Sequence, residues 1–482
     1  ELHDLDGLLG IEYQKGDVGD TYVAGRAFPD DRLQKLSSAA IITSGSTGLS
    51  SYCFVSYFAR ANYKFNERYL IGASYRVDGS SRFGRNNRYG AFPAVSVGWV
   101  VSEENFLRNS DAINFLKIRS SYGKTGNAEI GNYKSRSLYI AQAYADISGL
   151  VTDQIGVPTL SWEKTTQFDV GLDFGFLNNR ISGEVDYFDK DTKDLLMDLP
   201  LPSINGYKII TENIGSMRNR GWEFTLNATI LKSPLLWSVS GNISTYRNKV
   251  TKLIAPVPPQ SRTVGRLAEG QPFGQFYGLK YAGVDPANGD ALYFKNDGSK
   301  TNDPSEADDM IIGNPNPDFY GGFNSHFGFK NFDLDIQCQF VKGVDIYNIA
   351  GIFQSVNGYY YDNQTVDQMN YWRKPGDITN IPQPRLYRNN GRTKSSRWVQ
   401  DGSYFRVKSV NFGYNLPRSF LNRMKVDNAR IYVAALNLFT FTKYKGYDPE
   451  VNATYLDAVT LGHDFYTPPQ AKTISVGLNI GL

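Results

Sequence analysis

Histidine is the side chain that most often performs acid–base chemistry near neutral pH, and this sequence contains three of them. They are His3, His326 and His463, and they are scattered over the chain rather than grouped with a nucleophile. His326 lies in the alternating stretch FYGGFNSHFGF, where it shares a face with Tyr320 and Asn324. We therefore expect it to line a wet surface or to serve packing. The sequence predicts no catalytic residue and no enzymatic activity.

Oxygen-rich side chains are concentrated in two segments, GVDPANGDALYFKNDG and TNDPSEADDMIIGNPNPD. Carboxylate and amide oxygens of this kind can bind Ca²⁺. Their spacing fits no defined cation site, so we predict solvated turns and no cofactor, with calcium left as the alternative. The residues concerned are Asp285, Asn288, Asp290, Asp303, Glu306, Asp308 and Asp309.

An aromatic cluster in the segment 342–402 is the candidate substrate-binding site. The sequences NGYYYDNQ and YWRKPGDITNIPQPRLYRNNGR contain Tyr359, Tyr360, Tyr361 and Trp372. These rings could stack on sugars or pack against peptide side chains, and neighbouring Asn and Tyr groups could satisfy polar ligands without charge. Packing within the loop itself is the alternative role for the same rings.

Composition excludes several classes of protein. The formal net charge is only +3, from 51 basic and 48 acidic residues, which gives no electrostatic basis for binding nucleic acid. Cys53 and Cys338 both lie in alternating stretches, so we expect small apolar wall residues rather than a disulfide or a metal pair. The chain has no run of about 18 apolar residues, which excludes helical membrane spans. Its 32 Tyr, 29 Phe and 46 Gly favour strands and turns.

Strict alternation of apolar and polar residues is the dominant pattern. In TTQFDVGLDFGF, Phe168, Val170 and Leu172 alternate with Asp169 and Asp173, so a strand here has one apolar and one carboxylate-bearing face. The segments are about ten residues long, which is the length of a tilted strand that crosses a bilayer. The same pattern recurs in GWEFTLNATIL, LWSVSGNISTY, NFDLDIQCQF and AKTISVGLNIGL.

The connections between these segments alternate between short and long, as in outer-membrane barrels with tight periplasmic turns and large extracellular loops. This spacing predicts roughly 16 strands, with irregular phase at 276–295 and 403–416. The predicted short connections are 66–68, 177–180, 231–235 and 330–331, and the long ones are 79–91, 124–164, 191–219, 249–275, 342–402 and 440–471.

A soluble antiparallel sandwich would also alternate, but its core would need far fewer large apolar residues. Trp222 follows a long connection and Trp237 a short one, so we expect them near opposite ends of their strands, as interfacial girdle residues are. Because lipid offers no hydrogen bonds, such strands must close into a barrel, with apolar side chains toward lipid and polar ones toward water. The sequence thus predicts an all-β transmembrane antiparallel β-barrel.

Several longer motifs follow one another along the chain, beginning with RYLIGASYRVDGSSRFGRNNRYGAFPAVSVGWVVSEENFL. The later ones are INFLKIRSSYGKTGN, WEKTTQFDVGLDFGFLNNRISGEVDYFDKDTKDLL, ENIGSMRNRGWEFTLNATI, DGSYFRVKSVNFGYNLP and NLFTFTKYKGYDPEV. In sequence and in order, these motifs resemble the SusC/RagA family of TonB-dependent outer-membrane transporters. The resemblance runs from about residue 50 to the C-terminus.

The resemblance implies a barrel of the large, roughly 22-stranded type, whose wide lumen holds a separate plug. No plug, TonB-contacting segment or carboxypeptidase-like N-terminal domain is recognisable. We therefore expect residues 1–482 to be the C-terminal portion of the barrel, with most but not all strands, long extracellular loops and the plug elsewhere. Such barrels commonly end in an aromatic residue, whereas this chain ends in Leu482.

The resemblance further implies TonB-dependent import of oligosaccharides or oligopeptides across a Bacteroidetes-type outer membrane. The expected partners are the lipid bilayer, a SusD-like surface lipoprotein that closes the extracellular mouth, the remaining N-terminal barrel and plug, and the TonB–ExbB–ExbD complex acting through that plug. The alternatives are a self-contained, roughly 16-stranded passive porin, a barrel enzyme and a soluble β adhesin.

Overall fold

The protein is described by a computed structural model that covers residues 2–481, except 146, 203, 205, 208, 260, 357–361, 387, 425 and 454–457. Its main feature is a 14-stranded sheet in which strands neighbouring in sequence are also neighbours in the sheet. The strands are β1 His3–Arg26, β2 Ile41–Phe65, β3 Tyr69–Ser80, β4 Tyr89–Val100, β5 Ile113–Asn127, β6 Glu163–Phe176, β7 Ile181–Lys193, β8 Ser216–Leu231, β9 Leu235–Lys252, β10 Phe319–Phe329, β11 Phe332–Lys342, β12 Tyr404–Asn415, β13 Asn428–Thr442 and β14 Thr473–Gly481.

Smaller elements lie in the long connections. Two hairpins pair Leu138–Tyr144 with Ile147–Gln154 and Leu196–Pro200 with Ile209–Asn213. Three-stranded sheets are formed by Gly265–Arg266, Gln275–Leu279 and Asp309–Gly313; by Tyr281–Val284, Ala291–Phe294 and Lys300–Thr301; and by Asp345–Asn348, Val399–Asp401 and His463–Asp464. The α-helices are Gly351–Gln354 and Arg418–Met424, and 3₁₀ turns occur at Leu36–Ser38, Val101–Glu103, Val366–Asn370, Ser396–Trp398 and Ala458–Thr460. None of the helices that the structure describes is long and apolar enough to span a bilayer.

The main sheet has two strands fewer than the spacing predicts. The segment 276–295, where the phase is irregular, accounts for part of this difference, because its strands belong to the small sheets in the connection between β9 and β10. The irregular phase at 403–416 has a different cause. Here β12 is part of the main sheet, but Lys408 is an extra residue in its pairing with β11, and such a bulge shifts the alternation.

The chain divides into two compact units. The first comprises 1–98, 121–168 and 191–216. Within it, β1, β2 and β3 pair antiparallel, with Leu9, Ala59 and Tyr75 side by side on one face. The long connections of this unit enclose a buried core of Phe83, Phe92, Val157, Leu160 and Trp162.

The second unit comprises 99–120, 169–190 and 217–482. Strands β9 to β14 pair antiparallel in it, and Phe412, Val433 and Val476 lie side by side across three of them. Its long connections have their own core, which includes Val264, Phe276, Tyr347 and Trp398. These connections are therefore folded structures with a buried interior.

The apolar face of the main strands is exposed. Phe168, Val170 and Leu172 are 42%, 38% and 37% exposed, and Val476 in β14 is 77% exposed. In a water-soluble sandwich these side chains would lie in the core, so their exposure excludes that alternative and fits an outer surface in contact with lipid. Trp222 is also exposed, but it is the seventh residue of β8 rather than lying at the start of the strand. Trp237 is the third residue of β9 and is half-buried against Phe327.

Candidate functional site

The polar faces of β7 to β11 form a recess of about 270 Å³ in the second unit. Serine, asparagine and ionisable side chains make up most of its lining, because alternate residues of each strand point to the same side. Asn179 and Arg180 in the short turn before β7 place the recess near the short-turn end of the strands. Its lining includes Ser182, Asn227, Ser238, Asn324, His326 and Asp335.

His326 and Asp335 are paired by the register of β10 and β11. The imidazole Nδ1 lies 2.7 Å from Asp335 Oδ1, and both side chains are partly exposed in the recess. Ser238 is the cross-strand neighbour of His326 in β9, yet among the described residues no hydroxyl is hydrogen-bonded to this imidazole. The pair therefore lines a polar surface, as the sequence predicts.

An ionic network occupies the polar faces of β5, β6 and β7 in the same unit. Arg119 donates to Asp173 at 2.8 Å and to Asp186 at 2.7 Å, and its third carboxylate partner, Glu184, lies at 3.2 Å. Lys117 adds a second cation 3.3 Å from Asp173. Basic groups of β5 thus bind carboxylates of the adjacent β6 and, across it, of β7, and charge-assisted hydrogen bonds hold the polar wall together laterally.

A buried ion cluster joins β12 to the long connection before β14. Arg406 is 1% exposed, and its guanidinium donates to Asp448 Oδ1 at 2.5 Å, Glu450 Oε2 at 2.8 Å and Thr440 Oγ1 at 3.0 Å. Asp448 also accepts the backbone N–H of Gln470 at 3.2 Å, so it holds both ends of this connection. Two of the sequence motifs, DGSYFRVKSVNFGYNLP and NLFTFTKYKGYDPEV, meet here. No local sequence pattern indicates that these two motifs pair.

Two further motifs meet in the first unit, around DGSSRFGRNN. Arg82 donates to the Ala128 carbonyl at 2.9 Å and to Asn132 at 3.0 Å, and its guanidinium lies 4.9 Å from the ring of Tyr52. Phe83 is 1% exposed and packs against Trp162 of the motif WEKTTQFDVG. This long connection is therefore anchored by residues from several strands.

Gly84 lies in close contact with the backbone of Pro158. A Cβ at this position would lie 1.7 Å from the backbone carbonyl oxygen of Pro158, an atom that cannot rotate away. We expect Gly84→Ala to lower the free energy of unfolding by about 1–3 kcal/mol, because the backbone of 156–160 must move. Urea titration of the purified full-length protein measures this.

Gly7→Ala is the matched control for Gly84→Ala. Gly7 lies in β1 of the same unit, and a Cβ there would meet no atom within 4 Å. This substitution should leave the free energy of unfolding unchanged or slightly raised, since alanine loses less backbone entropy on folding. If both variants unfold at the urea concentration of the parent, the close approach at Gly84 does not constrain the loop.

The predicted substrate-binding residues lie only partly within the described structure. Tyr359, Tyr360 and Tyr361 fall outside the described residues. Trp372 is 5% exposed, and its indole N–H donates to the Pro286 carbonyl at 3.1 Å. Trp372 thus packs within the loop, which is the alternative role given above. Ligand contact by the four aromatic residues stays a prediction.

The acidic segments form turns closed by their own side chains. Asp285 accepts the N–H of Ala287 at 2.9 Å, and Asp303 accepts that of Ser305 at 2.8 Å. These are Asx turns, which agrees with the turn chemistry expected for the segments. Hydrogen bonds from Ser305 lower the pKa of Asp303. In the described ranges, no three His, Cys, Asp or Glu side chains are grouped so as to hold a metal ion.

Both cysteines are free thiols, as expected. His463, by contrast, has a role that the sequence does not indicate. It is fully buried, its Nε2 accepts the N–H of Val264 at 3.0 Å, and its Nδ1 lies 2.8 Å from the Thr460 carbonyl. These contacts require a neutral ring protonated on Nδ1, which ties the loop before β14 to the loop core.

Burial also shifts ionisable groups in this loop core. Asp345 lies at the start of the strand Asp345–Asn348, where burial raises its pKa and the nearby carboxylates of Asp401 and Asp318 raise it further. Its carboxylate still accepts the N–H of Asn314 at 2.8 Å. The group is therefore a structural hydrogen-bond acceptor in the folded connections.

Comparison with known proteins identifies the family to which this chain belongs. A family model described as "TonB dependent receptor-like, beta-barrel" matches residues 2–438. TonB-dependent receptor P3 of Formosa agariphila is 34% identical over 99% of this chain and 50% of its own length. TonB-dependent receptor SusC of Bacteroides thetaiotaomicron is 30% identical over 88% of this chain and 43% of its own length.

Solved structures agree with this result. The RagAB peptide transporter superposes with a TM-score of 0.90 at 31% identity, over 100% of this chain and 53% of the matched chain. The chain thus spans about half the length of the relatives it matches. The matched family is one of receptors and transporters rather than enzymes. The chain belongs to the TonB-dependent receptor β-barrel family, as a SusC/RagA-type protein of the outer membrane.

Proposed function

We propose that this chain is the C-terminal part of the wall and loops of a TonB-dependent importer of oligosaccharides or oligopeptides. The observation that carries the proposal is the match, over the whole chain, to the RagAB peptide transporter with a TM-score of 0.90. The exposed apolar face and the opposing polar face with its ionic network support it, because a lipid-facing surface around a wet lumen needs both.

The remaining strands and the plug are proposed to come from the rest of the protein. In the described residues, β1 is bonded to β2 on one edge only and β14 to β13 on one edge only. Each unpaired N–H and C=O at such an edge would cost several kcal/mol in lipid. Further strands that bond to these two edges would satisfy them, which agrees with relatives about twice as long.

The long connections would then form the substrate vestibule beneath a SusD-like lipoprotein. Buried cores and the Arg406 cluster give these connections the fixed shape that a docking surface needs. Their amide, hydroxyl and backbone groups could hydrogen-bond to sugars or to peptide backbones. The TonB–ExbB–ExbD complex would act on the plug, while this chain stays still.

Uptake by the full-length protein tests the proposal. Cells that express it should accumulate fluorescently labelled oligosaccharides or oligopeptides, and deletion of TonB or a protonophore should abolish that accumulation. Comparing the two labelled libraries identifies the substrate class. Accumulation that persists without TonB would contradict the proposal and favour diffusion.

A self-contained porin is the second candidate, and intact mass of the mature protein distinguishes it. A mass near 54.0 kDa, which is that of this chain, would favour the porin. A mass about twice as large would favour the importer. In the part of the chain that the structure describes, the main sheet has 14 strands rather than about 16 and two unpaired edges, both of which weigh against the porin.

A further inference from the structure

Four phenylalanines and two lysines surround a crevice of about 500 Å³ in the second unit, here called the Phe–Lys crevice. It lies where β10 to β13 meet the long connections, which is the extracellular end of such strands. The rings are Phe319, Phe340, Phe405 and Phe441, and the lysines are Lys342 and Lys443.

Strand register brings the rings together on the apolar face. Phe340, Phe405 and Phe441 are direct neighbours across β11, β12 and β13. The ring centroids of Phe319 and Phe340 are 6.2 Å apart, as are those of Phe405 and Phe441. Phe441 is 63% exposed, so this surface is open to the surrounding medium. A bilayer would place hydrocarbon against it.

The two lysines continue the same face toward the loops. Lys342 is the last residue of β11 and shares the face of Phe340, and Lys443 directly follows β13; both line the crevice. Both residues are exposed. Among the described residues neither lysine forms an ion pair, but Asp401 also lines the crevice and offsets part of their charge.

Asp401 lines the same crevice as Lys342 and Lys443. Hydrogen bonds from Ser403 lower the pKa of its carboxylate, and the charges of Lys342 and Lys443 lower it further. Asp401 Oδ1 accepts the Ser403 N–H at 2.9 Å, so this carboxylate is held by the backbone. The crevice therefore keeps a net positive charge beside an aromatic, apolar wall.

We propose that the Phe–Lys crevice binds a phosphate-bearing lipid of the outer leaflet. An acyl chain would lie along the phenylalanine rings, and the phosphate would accept hydrogen bonds from Lys342 and Lys443. Lysines at membrane interfaces also extend into the headgroup region without any specific ligand. The shared lining of one crevice by both lysines and by the row of phenylalanine rings distinguishes a site from that general arrangement.

Native mass spectrometry of the full-length protein in detergent tests the site, with purified lipid A as the probe. We expect Lys342→Gln/Lys443→Gln to weaken lipid A binding about 30-fold, the loss expected for two lysines at an anionic lipid surface. Lys330→Gln is the matched control, because Lys330 lies at the other end of the β10–β11 hairpin. It should bind lipid A as the parent does. Heat-modifiable mobility on gels verifies that each variant is folded.

Enzymatic removal of the lipid phosphates should reduce binding to the parent as much as the double substitution does. Three results would overturn the proposal. The first is equal binding of phosphorylated and dephosphorylated lipid A to the parent, and the second is a loss of lipid A binding in Lys330→Gln as large as that in the double variant. The third is displacement of lipid A by millimolar inorganic phosphate, which would show that the site binds phosphate without an acyl chain. Transport is not measured in this experiment, so its outcome is independent of the proposed import function.

Discussion

Val170→Arg should lower the free energy of unfolding of the full-length protein in bilayers by about 2–4 kcal/mol, since an arginine near mid-bilayer on the lipid face costs that much. Val170 lies in the middle of β6, is 38% exposed and is flanked on the same face by Phe168 and Leu172. Reversible urea unfolding in phospholipid vesicles, followed by tryptophan fluorescence, measures the change.

Asp169→Arg is the control for this prediction. Asp169 is adjacent to Val170 in sequence but lies on the polar face of β6, which we assign to the lumen. An arginine there stays in water, so this variant should fold nearly as the parent does. Equal losses for Val170→Arg and Asp169→Arg would mean that the two faces are wrongly assigned.

Arg406→Met should be the most damaging change in the loop-bearing part of the second unit. It removes the cation from a buried cluster in which Asp448 has only 7% of its side chain exposed. Loss of one partner from a buried ion pair costs about 3–5 kcal/mol, because the remaining charge has no compensation. The connection 443–472 should then open, and limited proteolysis of the full-length protein should cut it at least tenfold faster.

Lys408→Met tests whether burial is the cause. Lys408 lies two residues away and contacts the same carboxylate, Glu450, at 3.3 Å, but both of these side chains are 35% exposed. Exposed pairs contribute at most about 1 kcal/mol, so cleavage of this connection should change little. Similar cleavage of both variants would show that the cluster is a surface network rather than an anchor.

The repeated alternation allowed the main strands to be predicted because a wall between lipid and water imposes period two on every strand that spans it. The short turns at 66–68, 177–180 and 330–331 were predicted for the same reason, since apolar periodicity stops and restarts there. These features are local, and each can be recognised from about ten residues.

Features that depend on distant residues could not be predicted in this way. The small sheets between β9 and β10 contain alternating residues as well, so the segment 276–295 was counted as a wall strand although it belongs to a folded loop. The pairing of Arg406 with Asp448 joins residues from separate motifs, and no local pattern indicates it. Likewise, the burial of Trp372 depends on its contact with Pro286, which is remote in sequence.

Spin-label accessibility along β6 tests most directly whether the two faces meet different media. Single cysteines at 167–173, in a full-length variant with Cys53 and Cys338 replaced by alanine, would carry nitroxides in phospholipid bilayers. Oxygen, which concentrates in lipid, should relax the labels at Phe168, Val170 and Leu172 most strongly, and a water-soluble nickel complex should relax those at Gln167, Asp169 and Asp173. Accessibility with no period of two residues, or with the phase reversed, would contradict the account.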